Sequence, residues 1–234
     1  MTWLAGVDGC RKGWFRVCRD SDSQEIRFDV LETAEELVST LPCPIVVAID
    51  MPIGLPEAGA RECDVAARQL LGPRRSSVFR APIRPSLTAT SRLEADSITR
   101  SVEGKGVSAQ AWGIYGKVKS VDCALANDAK LRSAFCEVHP EVSFLAWNDR
   151  QPMAFSKKKR EGRRERAVLA EAWLGEGILA RARGGELRKH LADDDILDAI
   201  AALWTAHRIA SGAAETLPES PPRDRAGLPM RIVF

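Results

Sequence analysis

Asp8 and Asp50 each close an apolar run, the first after Trp3 to Val7 and the second after Pro44 to Ile49. An Asp at a strand end is often a turn former. It also stands where open α/β sheets place their ligands, outside the carboxyl ends of the strands. If the two strands lie parallel and adjacent, both carboxylates meet at one sheet edge. Glu137 ends a third short stretch, Ala134 to Val138, and His139 follows on the same face. A capping Glu and a core His compete there with a site reading. The segment Asp193 to Trp204 carries more information. Asp193 and Asp194 are accounted for by a helix start, where acids cap the backbone and favour the dipole. Asp195 and Asp198 are three apart, so they share one helix face, continued by Ala202 and Thr205. Such small residues let a helix approach a sheet closely. Buried carboxylates repel one another unless a cation or a proton intervenes.

Brought together, Asp8, Asp50, Glu137, Asp195 and Asp198 would form a set of hard oxygen donors suited to Mg²⁺ or Mn²⁺. The expected ligands are Asp8, Asp50, Asp195 and Asp198, with Glu137 as an extra ligand or base. Two such ions about 3.5–4 Å apart can activate water and stabilise a leaving oxygen in phosphodiester cleavage.

The elements that must position these residues follow from the apolar patterning. Trp3 to Val7 and Trp14 to Cys18 read as strands, and Ile26, Phe28 and Val30 alternate with polar residues as in a half-buried strand. Glu32 to Leu41 reads as a short helix, and the fully apolar Pro44 to Ile49 as a strand buried on both faces. Helices are expected over Ala58 to Leu71, Ser108 to Asn127, Arg163 to Leu174, Ile178 to Leu191 and Asp194 to Ser211. Arg74 to Arg92 reads as irregular. Pro218 to Pro222 leads to a terminal strand over Arg231 to Phe234. A meander followed by alternating helices and strands implies a mixed sheet in an α/β layered fold. There is no internal repeat.

The chain has 234 residues, 45% hydrophobic and 28% charged, which excludes disordered and fibrous classes. No apolar run approaches the roughly 20 residues of a membrane-spanning helix. The start lacks the basic and apolar regions of a signal peptide, so a cytoplasmic location is expected. The 6 cysteines form no C-x-x-C pair, which removes support for zinc-ribbon and thioredoxin readings and suggests free buried thiols. The net charge of +2 hides an uneven distribution. Residues 73–92 carry a net +5, residues 156–190 a net +6, and the remainder −9. Basic segments beside an acidic site suit a metal-dependent nuclease, with Arg and Lys holding the phosphate backbone. Arg74, Arg75 and Ser76 could cradle a phosphate or simply form a turn. Lys158 and Arg166 are further candidates, although a run such as Lys157 to Arg160 also serves as a solvated helix start. Ser76 and Ser77 lack a nucleophile-elbow context. Cys10 has no evident His partner. His190 and His207 read as ordinary helix residues.

Several segments together resemble an uncharacterised family of predicted RNase H-like nucleases, domain-of-unknown-function family 429, over nearly the whole chain. They are Gly6 to Trp14, Ile49 to Leu55, Arg61 to Asp64, Gly72 to Phe79, Gln110 to Ile114, Glu137 to Glu141 and Asp195 to Leu203. The resemblance implies an RNase H-like mixed five-stranded sheet flanked by helices. In it the Asp8 strand is central and the Asp50 strand lies beside it. The last helix is similar to that of Holliday-junction resolvases of this fold, where two Asp three apart open an Ala-rich helix. By that likeness Asp8, Asp195 and Asp198 would be metal ligands, and Asp50 would take the second-strand carboxylate place.

The expectation is therefore one domain over residues 1–234, with helical inserts at about 57–130 and 150–192. It would act as a metal-dependent nuclease or phosphodiesterase with nucleic acid as partner. The rival readings are a nucleotide-binding phosphotransferase and a non-enzymatic binding scaffold of the same fold.

Overall fold

A computed structural model describes residues 1–184, 189 and 191–234. β1 (Trp3–Cys10) turns tightly into antiparallel β2 (Gly13–Asp20), which pairs with antiparallel β3 (Ile26–Leu31). The short α1 (Glu36–Ser39) leads to β4 (Val46–Ile49), which lies parallel to β1 on its other side. Then follow α2 (Glu62–Leu71), two 3-10 turns at Gly72–Ser77 and Arg84–Thr88, α3 (Arg92–Glu103), α4 (Ala109–Trp112), α5 (Tyr115–Asn127) and α6 (Ala129–Ala134). β5 (Phe135–Glu137) adds parallel to β4. α7 (Pro140–Trp147), α8 (Arg160–Leu174), α9 (Ile178–Ala182) and α10 (Asp193–Ala210) complete the helices. A small antiparallel pair, β6 (Thr216–Leu217) and β7 (Ile232–Val233), closes the chain.

The five-stranded sheet has the order β3-β2-β1-β4-β5. This mixed sheet flanked by helices is of the α/β class and consistent with an RNase H-like fold. Its two faces are set by strand parity, because successive side chains point to opposite sides. Ala5, Val7, Val47, Ile49 and Phe135 face a core shared with α1, α3, α5 and α6. Leu4, Ala48 and Val138 face the other core, where α10 packs with α7, α8 and α9. α10 sits directly on β1 because Gly6 has no side chain. A Cβ there would lie 2.1 Å from the Ala199 carbonyl oxygen and from the Leu203 amide nitrogen. The small-residue approach expected of the last helix is thus present, with Gly6 on β1 and Ala199 and Ala202 buried on α10.

Some elements differ from expectation for local reasons. The helix expected over Ser108 to Asn127 breaks at Gly113 and Ile114. Ser108 caps α4 by accepting from the Ala111 amide, and α5 restarts at Tyr115. The helix expected over Glu32 to Leu41 shrinks to α1, because Glu36 turns back to cap the Glu32 and Thr33 amides. The segment expected as irregular holds the start of α3, where the Ser91 hydroxyl accepts from the Glu94 amide. The C-terminal part of the helix expected over Ile178 to Leu191 and the assignment of His190 lie outside the described residues. No helix among the described residues is long and apolar enough to cross a membrane. The six cysteines are free, but Cys43 and Cys123 are exposed rather than buried.

Candidate metal centre

Register alone places the first two acids together. Val7 pairs with Ile49, and the Asp50 amide donates to the Val7 carbonyl at 3.0 Å. Asp8 and Asp50 are therefore level, one residue beyond the last ladder pair, on the parity that faces α10. Asp198, one turn inside α10, arrives from above. One carboxylate oxygen from each of Asp8, Asp50 and Asp198 lies within 4.8 Å of the others. Asp198 is 2% exposed.

The electrostatics follow from burial and crowding. Burial first, then the charges of Asp50 and Asp198, holds the Asp8 carboxyl well above the usual carboxylate range. Burial pushes Asp50 up to about 6, with Lys157 pulling the other way. Asp198 is pushed up to about 7 by burial, against the pull of Lys157. Asp8 Oδ1 accepts the Gly9 amide at 2.6 Å. Asp198 Oδ2 accepts from the Lys157 ammonium. Asp198 Oδ1 is buried and has no hydrogen-bond partner among the described residues. With all three carboxylates ionised against one ammonium, two negative charges would be left without compensation, a costly state that raises the carboxyls in the absence of a cation. The donor set is all oxygen, converging and charge-deficient, and so fits a hard divalent cation.

The other expected site residues fall elsewhere. Asp195 lies one turn earlier on α10, and its carboxylate accepts the Ala192 amide at 2.8 Å. It caps the helix at the margin of the cluster, near enough for its charge to raise Asp8. Glu137 is a correction. It pairs in register with Ile49, not with Asp50, so its side chain points to the opposite face of the sheet. There the Arg61 guanidinium clamps it at 2.6 and 2.7 Å, and the Ile53 amide donates to it at 2.7 Å. Arg61 also holds Asp64, and all three residues are buried. Glu137 thus fastens the loop after β4 to α2, and although it lines a cleft with Asp8 and Asp50 it is not among the three converging carboxylates. Arg166 is a second correction. It is fully buried and grips Glu141 at 2.6 and 2.8 Å, with further bonds to the Gly162 and Phe155 carbonyls, out of reach of substrate.

The cleft lined by Asp8 and Asp50 holds about 550 Å³, with Glu137 also on its wall, and Asp198 lies buried behind them. Arg74, Ser76 and Lys158 line it, whereas Arg75 is exposed and does not. Arg74 spends its Nε on the Met153 carbonyl at 2.8 Å. The arginines of the first basic segment are largely used within the fold. Arg80 pairs with Glu103, Arg84 with Asp122 and Asp224, and Arg92 with the Val107 carbonyl. Two cleft lysines were not singled out by the sequence. Lys157, whose neighbour Lys158 was chosen instead, reaches the carboxylates themselves. Lys117 lies in the cleft and holds the β1–β2 turn through the Cys10 and Gly13 carbonyls at 3.1 and 2.7 Å. A four-residue basic run does not say which lysine turns inward, so only the fold separates Lys157 from Lys158. His139 also lines the cleft. Its Nε2 lies 3.3 Å from the Ser77 carbonyl, its Nδ1 is buried without a partner among the described residues, and burial lowers its pKa.

A mixed sheet with two half-buried acids on adjacent parallel strands and a buried one on the helix packed over them defines a carboxylate-centred α/β protein. The chain belongs to DUF429, a family of proteins of unknown function, which it matches over residues 6–223. No curated protein and no solved structure matches the chain.

Proposed function

We propose that the protein is a metal-dependent phosphodiesterase acting on nucleic acid, with Mg²⁺ or Mn²⁺ held by Asp8, Asp50 and Asp198. The observation that carries this reading is the convergence of those three carboxylates, one with a buried and unpartnered oxygen, at the wall of a cleft lined by Asp8, Asp50, Lys117, Lys157 and Lys158. A divalent cation bound there would supply charge stabilisation to a phosphoryl oxygen and would make a bound water more acidic than bulk water. Asp8 and Asp50 are fixed by the strand register and Asp198 by α10 lying on Gly6, so the donors are held rigidly before any substrate arrives. Asp195 stands at the margin, on the same helix face, as a further donor to a second ion. Lys158 and Ser76, both exposed on the cleft wall, supply contacts to a phosphate backbone. Arg74, also on that wall, anchors it through the Met153 and Ala154 carbonyls.

The test is cleavage of single- and double-stranded DNA and RNA with Mg²⁺ or Mn²⁺, alongside Asp8→Asn. Metal-dependent cleavage that is lost in Asp8→Asn supports the reading. Equal cleavage by that variant refutes it.

A further inference from the structure

Lys157 is the one basic side chain hydrogen-bonded to the carboxylate cluster among the described residues. It sits on a strap, residues 148–159, that joins α7 to α8 without helix or strand. The strap is pinned just before Lys157. Arg74 donates to the Met153 and Ala154 carbonyls. Glu165 accepts the Ala154 amide at 2.7 Å and the Phe155 amide at 3.1 Å, and Arg166 donates to the Phe155 carbonyl at 3.2 Å. Ser156 then packs on Gly162, where a Cβ would lie 2.1 Å from the Ser156 carbonyl oxygen. From this fixed backbone the Lys157 side chain, 32% exposed, enters the cleft and pairs with Asp198. Its backbone is held, but its four-carbon stem keeps several rotamers.

We infer that Lys157 is a tethered cation of the metal centre: it occupies Asp198 when no divalent ion is bound and must leave Asp198 Oδ2 when one binds. This rests on the metal-centre reading above. The reason is chemical. A divalent ion on the Asp198 carboxylate, taken up through the free Oδ1, would stand close to the ammonium bonded at Oδ2, and the two positive charges repel at that distance. An ammonium is a point charge that any carboxylate or phosphate can receive. Released from Asp198, it remains in the cleft beside Lys158, where a phosphate would lie. The strap thereby sets how tightly the centre takes its metal.

The experiment is Mn²⁺ titration by calorimetry at one fixed pH on the full chain, on Lys157→Met and on Lys157→Gln. The Gln variant keeps a hydrogen-bond donor without charge, on a side chain one bond shorter, and so stands in if the Met variant does not fold. Both variants should bind Mn²⁺ at least tenfold more tightly than the parent chain. A crystal of the parent chain loaded with Mn²⁺ should show the Lys157 Nζ off Asp198. Unchanged or weaker binding in the variants, or a loaded centre with the Lys157–Asp198 pair intact, overturns the inference while leaving the metal centre standing. Absence of Mn²⁺ binding in every chain overturns both.

Discussion

Gly6 lies directly beneath Ala199, so close that a single methyl group on Gly6 would stand 2.1 Å from the Ala199 carbonyl oxygen. That contact sets the height of α10 above β1, and with it the position of Asp198 relative to Asp8. Gly6→Ala cannot be absorbed by a rotamer change, since both obstructing groups are backbone. We expect a loss of about 3 kcal/mol in denaturant unfolding, at the upper end of overpacking costs. A loss under about 0.5 kcal/mol, the level of an ordinary surface change, would mean that the helix is not seated as described.

Asp8→Asn removes one of the three proposed ligands and thins the crowding of the carboxylates. Without divalent ions the variant should melt no lower than the parent chain, because like-charge repulsion falls. With Mn²⁺ the parent chain should gain melting temperature through ligand linkage, and the variant should gain much less. An equal gain in both chains would place the bound ion away from Asp8.

The raised carboxyls give the metal-free protein a defined pH response. Asp50 is pushed up to about 6 in the fold, against about 3.9 in an unfolded chain. Between those values the native state holds a proton that the unfolded state has released. Its contribution to stability is therefore complete below about pH 4 and is lost as pH rises through about 6. In EDTA, Asp50→Asn should gain stability relative to the parent chain over that window. A difference that stays flat from pH 4 to 7 contradicts the raised value. Metal affinity should move in the opposite sense, increasing with pH as the ligands lose their protons.

Arg166 and Glu137 should behave as structural residues. Arg166→Met strands the buried Glu141 and should cost about 3–5 kcal/mol, as when one partner of a buried pair is removed. Glu137→Gln weakens the clamp of Arg61 and should lower the melting temperature. In Glu137→Gln that remains folded, Mn²⁺ affinity should stay within about twofold of the parent, since its side chain is turned to the opposite face of the sheet from the three carboxylates. A large change in Mn²⁺ affinity in Glu137→Gln would restore it to the ligand set.

Much of the sheet was legible because its signals are local. The runs leading to Asp8 and Asp50 are continuous and apolar, and the placing of Asp195 with Asp198 on one face follows from helical spacing alone. What failed was register. Glu137 ends a strand just as Asp8 and Asp50 nearly do, but it pairs with Ile49, and that one-residue offset sends it to the other face. No periodicity within its own segment carries that information. The inward turn of Lys157 and the burial of Arg166 are likewise set by tertiary packing, so a sum of charges over residues 156–190 reads both as surface. Other omissions had signals in plain view. Ser91 and Glu94 form a capping pair ahead of α3, and Pro140 at the first turn of α7 marks a helix start where only a strand end was read.

The central claim is that Asp8, Asp50 and Asp198 hold a divalent cation, and an anomalous difference map from crystals soaked in Mn²⁺ tests it without any guess at substrate. We expect a manganese peak in contact with all three carboxylates, with the formerly unpartnered Asp198 Oδ1 engaged. Ordered carboxylates with no peak at millimolar Mn²⁺, or a peak on other residues, would contradict it.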